Sequence, residues 1–314
     1  MQLIRPDTHV DFVGKRKIAM AISGLLLLIS VGLLAAKGLN FGIDFTGGTL
    51  VEVKFQKAPD IADIRKSLTP AGYGQAIIQE FGSPEEIMIR VQNAEGEKSS
   101  VISTAILDAL SKGFGADDVE MRRVEFVGPQ VGDELTRAGI MAVFIAMLAI
   151  LVYVTVRFEL RFALGADAAL LHDVTMVLGL FALTGKEFTL PIVAALLTVI
   201  GYSLNDTIVV FDRIRENFAA NRKKKRPDNE MDVVNASINQ TLGRTIMTSL
   251  TTLLVVAALF ILGGEVIHDF AFALIAGIVI GTYSSIFIAS PVMMSLQGKF
   301  KTDEEEAKRL EARP

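Results

Sequence analysis

The 314-residue chain contains no cysteine, which excludes disulfides, thiolate nucleophiles and cysteine-ligated metal sites. Histidine is nearly as scarce. His9, His172 and His268 are too scattered to suggest a metal cluster, and no cofactor is expected. Charge is sparse as well: 21% of residues are charged against 51% hydrophobic, and the mean hydropathy is +0.45. That balance does not suit a soluble domain of this length, so the chain reads as an α-helical polytopic membrane protein. The net charge of -4 decides little, because in such a protein the placement of basic residues matters more than their sum.

Apolar windows of about 20 residues, enough to cross a hydrocarbon core of about 30 Å, occur six times. They lie near 17–36, 138–156, 164–183, 189–211, 245–262 and 269–294. The first follows Lys15, Arg16 and Lys17 and ends in small residues, as a cleavable signal does. Its apolar stretch is longer than a usual signal core, so an uncleaved anchor is expected. Basic residues cluster before span one, between spans two and three at Arg157 and Arg161, and after span four at Arg213, Arg215 and RKKKR (222–226). Lys299, Lys301, Lys308, Arg309 and Arg313 follow in the tail, whereas the short connections TGKEF and GGEVIH carry one Lys and none. The expected topology therefore has a cytoplasmic N-terminus (1–16), a first span (17–36), an outer domain (37–137), a five-helix bundle (138–294) with a cytoplasmic loop at 212–244, and a cytoplasmic tail (295–314).

The outer segment carries its own folding signals. TLVEVKF (49–55) alternates as a strand, and Asp60 is placed to cap a helix with Ile61, Ile64 and Leu68 on one face. QAIIQEF (75–81) and EIMIRVQ (86–92) read as strands around a Gly-Ser-Pro turn. A second helix (99–113) groups Ile102, Ala105, Ile106, Ala109 and Leu110, and VEMRRVEFV (119–127) reads as a last strand. The order βαββαβ predicts a ferredoxin-like α+β domain with both helices on one face of an antiparallel sheet.

Two glycine-bearing segments flank that domain: FGIDFTGGT (41–49), with Gly42, Asp44, Gly47 and Gly48, and VGPQVGDEL (127–135), with Gly128, Pro129 and Gly132. Taken alone they read as turns, with Asp44 accepting backbone hydrogen bonds inside its own turn. Within the spans, Asp206 in TLPIVAALLTVIGYSLNDTIVVF (189–211) is the sharpest signal. A carboxylate near a bilayer centre costs about 3 kcal/mol on insertion scales, so such residues face a bundle interior and move ions or protons. Asp206 is expected about two turns from the cytoplasmic end of its span, within reach of Arg244 at the start of span five; the competing reading is that Arg244 snorkels to the interface. Asp167, His172 and Asp173 lie on span three, with Asp167 expected near the boundary and Asp173 deeper. Thr245, Thr248, Ser249 and Thr252 form a stripe along span five. Gly277 and Gly281 form a GxxxG pair, and Ala142 and Ala146 a similar one, for tight helix contact; the glycine face of span six is expected to receive a partner. The RKKKR run reads as a topology anchor that attracts membrane lipids, not nucleic acid.

FGIDFTGGT, VGPQVGDEL, LHDV in span three, GYSLNDTIVVFDRIREN (201–217) and TLGRTIMTSLTTLL (241–254) together resemble the SecD/SecF family of bacterial protein-export membrane proteins, within the resistance-nodulation-division superfamily. The resemblance runs in order along nearly the whole chain. It implies a six-span half-transporter of the bacterial inner membrane whose other half is SecD, either a separate chain or fused. It also implies the SecYEG translocon, YajC and translocating preproteins as partners, no enzymatic activity, and use of the proton-motive force in late export. By position it makes Asp206 and Arg244 the proton relay; Asp173 remains a further candidate. Two other classes compete. A small-molecule or lipid exporter would share the bundle and the aspartate, but those families usually carry larger outer domains and both halves in one chain. An intramembrane aspartyl protease would pair Asp173 with Asp206, yet LHDV and LNDT lack the GxGD pattern.

Overall fold

The computed structural model describes residues 9–93 and 98–296. Most of the expected tail, including its basic residues, lies outside them. Among the described residues, six helices are long and apolar enough to cross a membrane. They are α1 (Arg16–Ala36), α5 (Pro129–Arg157), α6 (Leu160–Thr184), α7 (Leu190–Arg222), α8 (Glu230–Leu262) and α9 (Glu265–Ser284). The last continues through a π-helical turn, Ser285–Ala289, into α10 (Ser290–Ser295). About half of the apolar window is buried in α6, α7 and α9 but only 6% in α5 and 17% in α1 and α8. The first three form the interior of the bundle, and the others present apolar faces outward.

Between α1 and α5 lies the α+β domain, with α3 (Ile61–Leu68), α4 (Ser99–Phe114) and strands β2 (Gly48–Phe55), β3 (Ile77–Phe81), β4 (Ser83–Val91) and β5 (Val119–Val127). The sheet order β3-β4-β2-β5, antiparallel throughout, is the ferredoxin-like one. Asp60 caps α3 by accepting from Ala62 N at 2.8 Å. Ile64, Leu68, Ile102, Ile106 and Leu110 are fully buried against Val51, Val53, Ile87 and Ile89, the face that the helical and strand periodicities select.

Two expectations are corrected. The connection 212–244 is not a loop: α7 continues to Arg222, α8 begins at Glu230, and only 223–229 turn. Ile214, Phe218, Val233, Val234, Ile238 and Leu242 carry the core onward at helical spacing, while the charged residues between them pull the averaged hydropathy down. The GxxxG face of α9 does not look outward either. A Cβ on Gly277 would lie 2.1 Å from Val199 Cγ2, and one on Gly281 2.9 Å from Ser203 Cβ. These glycines let α9 lie against α7 inside the chain.

Candidate functional site

The glycine segments are a joint where the α+β domain meets the bundle. β1 (Asn40–Phe41) pairs in parallel with β6 (Glu187–Phe188), the link between α6 and α7, and Gly42 N donates to Phe188 O at 2.9 Å. Phe45 stacks on Phe188 at 5.7 Å, and Phe181 meets Phe188 edge-on. Asp44 sits in the short helix α2 (Ile43–Thr46). Its carboxylate does not serve its own turn, as expected from the sequence, but accepts from Leu190 N at 2.8 Å. Because Thr189 gives α7 no side-chain cap, Asp44 supplies one from 146 residues away, with its charge at the positive end of the helix dipole.

Gly47 holds φ at +67°, and a Cβ there would meet the Pro129 backbone at 2.9 Å. Gly132 faces it, its own Cβ position 3.0 Å from Gly47 N and 3.1 Å from Phe45 O. Two main chains cross here with no room for side chains. Gly48 opens β2 opposite Val127, Gly128 precedes the first turn of α5, and Pro129 occupies that turn, where a missing N–H costs nothing.

Arg90 of β4 completes the joint. It donates to Phe41 O, to Asn40 Oδ1 at 3.0 Å, and pairs with Glu187 at 3.4 Å. The side chains of Arg90 and Glu187 are only 5% and 13% exposed. Burial pushes the Glu187 carboxyl above its usual range; Arg90 opposes this, and Asp44, Asp269 and Glu125 add to it. Lys186 pairs with Asp269 at 2.5 Å, tying the α6–α7 link to α9.

In the bundle, Asp206 lies near the middle of α7 and is 2% exposed. Thr248 and Ser249 of α8 donate to its two oxygens, each at 3.4 Å. Asp173 of α6 is 1% exposed and held differently. It accepts from Ser203 at 2.6 Å and Ser284 at 2.8 Å, and its other oxygen meets His172 Nδ1 at 3.0 Å. Strong O–H···O bonds span about 2.5–3.0 Å, so Asp173 is firmly fixed, whereas Asp206 has only long bonds to lose when its protonation or partners change. Of the stripe on α8, Thr248 and Ser249 reach the site. Thr252 bonds back to Thr248 O, and buried Thr245 Oγ1 has no hydrogen-bond partner among the described residues.

A run of hydroxyls lies between the carboxylates. Ser203 is three residues before Asp206, about 4.5 Å along the helix. Ser285, which opens the π-helical turn, accepts from Thr207 at 3.1 Å and donates to Gly281 O, with Ser203 O also in range. Ser249 shares a hydrogen bond with Thr282 at 2.7 Å. Sequence reasoning missed Ser203, Ser284, Ser285 and Thr282; the signal was YSSIFIAS, three serines in an apolar run. Arg244 is exposed and makes no salt bridge with Asp206 among the described residues, yet its charge is near enough to act on that carboxylate through space. It stands one turn from Thr248, which donates to Arg244 O at 3.1 Å. Asn205 is also exposed, so two polar side chains near Asp206 face out of the bundle. Asp167, expected near the boundary, is half-buried, and its Oδ1 is buried without a hydrogen-bond partner among the described residues.

Comparisons with known proteins agree along the chain. Residues 106–299 match the family described as protein export membrane protein SecD/SecF, C-terminal, and residues 32–59 match the SecD/SecF GG motif. The protein translocase subunit SecF of Magnetococcus marinus is 54% identical over 94% of both chains, and that of Escherichia coli O157:H7 is 44% identical over 91% of this chain and 87% of its own. A crystal structure of SecDF, a translocon-associated membrane protein from Thermus thermophilus, is similar with a TM-score of 0.82 and 37% identity, covering 94% of this chain and 40% of that one. The chain therefore belongs to the SecD/SecF family of protein-export membrane proteins.

Proposed function

We propose that the chain is a SecF-type accessory subunit of the Sec protein translocase that works with SecD to couple the proton-motive force to late steps of preprotein export. The carrying observation is Asp206: a carboxylate buried near the middle of an apolar helix, held by two long hydroxyl bonds, with Arg244 and Asn205 exposed beside it. A proton crossing 100 mV releases about 2.3 kcal/mol, enough to exchange bonds of this strength. Arg244 and Asn205 face the surface that SecD would cover, so the relay is completed between halves and the Asp206–Arg244 interaction belongs to one stage of a cycle. Asp173, fixed by short bonds, keeps α6, α7 and α9 in register through that cycle.

Motion of α7 has a direct route outward, because Asp44 grips its first turn and Arg90 grips the preceding strand. In this reading the α+β domain lies on the outer side, both ends of the chain are cytoplasmic, and SecYEG and YajC are neighbours in the inner membrane. Inverted vesicles depleted of this chain test the assignment. Late preprotein movement should lose its response to the proton gradient and regain it when the chain is restored with SecD. Restoration without any change in that response refutes the coupling.

A further inference from the structure

A groove of about 530 Å³ runs between α1, α6 and α9. Lys15 stands at one mouth, Ile22 and Leu26 form one wall, and Val279 and Tyr283 the other, with His172 on the floor. It opens beside the exposed apolar face of α1, where Ile18, Ile22 and Leu25 point outward, a surface suited to the bilayer. The hydroxyls inside are already spent: Ser23 donates to Tyr283 Oη at 3.0 Å, and Tyr283 donates to Ala19 O at 3.0 Å. What remains is apolar wall, which suits hydrocarbon and not a polar solute. The mouth is cationic. Lys15 is exposed there, and Arg16 beside it is turned onto Val13 O.

We propose that this groove holds one acyl chain of an anionic phospholipid, with the lipid phosphate at Lys15. From Lys15 to Leu26 the wall is 11 residues, about 16 Å of helix, room for most of a chain. The charge at the mouth selects the head group, since basic residues at a membrane surface attract anionic lipid. The bound chain also covers His172. That ring is 4% exposed, its Nδ1 lies 3.0 Å from Asp173 Oδ1, and its Nε2 has no hydrogen-bond partner among the described residues, so hydrocarbon above it keeps water away from the His172–Asp173 pair.

Native mass spectrometry of the full chain in detergent tests this, with phosphatidylglycerol or phosphatidylcholine of identical chains added in turn. One phosphatidylglycerol should stay bound where phosphatidylcholine is stripped. Lys15→Gln should weaken that preference about fivefold, and Ile22→Trp, which fills the groove, should abolish retention. Equal retention of the two lipids, or retention unaffected by Ile22→Trp, overturns the proposal. If Ile22→Trp does not fold, Lys15→Gln decides alone, because an unchanged preference is equally contrary. A photo-crosslinking side chain at Ile22 in native membranes should capture lipid; an adduct to a polypeptide would make the groove a seat for a partner helix and overturn the assignment.

Discussion

Asp44→Ala removes the acceptor that caps α7 from across the molecule. The bond to Leu190 N is 2.8 Å long, Asp44 is half-buried, and the helix has no cap of its own at Thr189. Loss of an N-cap acceptor costs about 1 kcal/mol, and the charge at the helix terminus adds a few tenths. The local opening constant should therefore rise about tenfold. Hydrogen exchange of the purified full chain, resolved at residues 190–193, reads this directly: Asp44→Ala should speed exchange there by that factor and leave 205–211 much less affected. Asp44→Asn keeps an acceptor and loses the charge, so it should fall nearer to wild type. Unchanged exchange in Asp44→Ala, or equal acceleration by both variants, would mean that the contact does not hold the helix.

Gly132→Ala places a methyl 3.0 Å from Gly47 N and 3.1 Å from Phe45 O; because backbone cannot turn aside as a side chain can, a loss of about 1–3 kcal/mol is expected in thermal or denaturant unfolding. Glu187 gives a pH dependence. Its folded-state pKa is raised, so its contribution to stability is complete below the unfolded-state value and lost as pH rises through the folded-state value. The melting temperature of Glu187→Gln relative to wild type should consequently rise from acid to neutral pH, and a difference constant with pH would refute the burial argument. For topology, single cysteines at Ser99 and Asn229 in this cysteine-free chain should label from opposite faces of the membrane, Ser99 from outside.

The α+β domain was legible in the sequence because its elements are short, regular and amphipathic, so Ile64, Leu68, Ile102 and Ile106 fall on their own periodicity. The spans were legible from hydropathy, though the extensions of α7 and α8 were not, since Arg213, Arg215 and Glu216 interrupt the apolar average while Ile214 and Phe218 keep the buried stripe. Asp206 and Asp173 stood out as charges in apolar runs. Their donors were less visible: Thr248 and Ser249 were part of a readable stripe, but Ser203, Ser284 and Ser285 meet Asp173 or Thr207 only when three helices are assembled. Asp44 illustrates the same limit. Its turn-forming context was evident, whereas its partner at Leu190 depends on a two-strand pairing between Asn40–Phe41 and Glu187–Phe188 that no local pattern announces.

Asp206→Asn tests the central claim most directly. The substitution keeps size and hydrogen-bonding capacity but cannot carry a proton; one of the two hydroxyls, Thr248 or Ser249, can still donate to the amide oxygen, and the other can turn to accept from the amide nitrogen. The variant should insert, assemble with SecD and melt close to wild type. In inverted vesicles, late preprotein movement should then be the same with and without an uncoupler, as in vesicles lacking the chain. If Asp206→Asn vesicles respond to the proton gradient as fully as wild type, Asp206 is a structural polar residue and the coupling proposed for this protein is wrong.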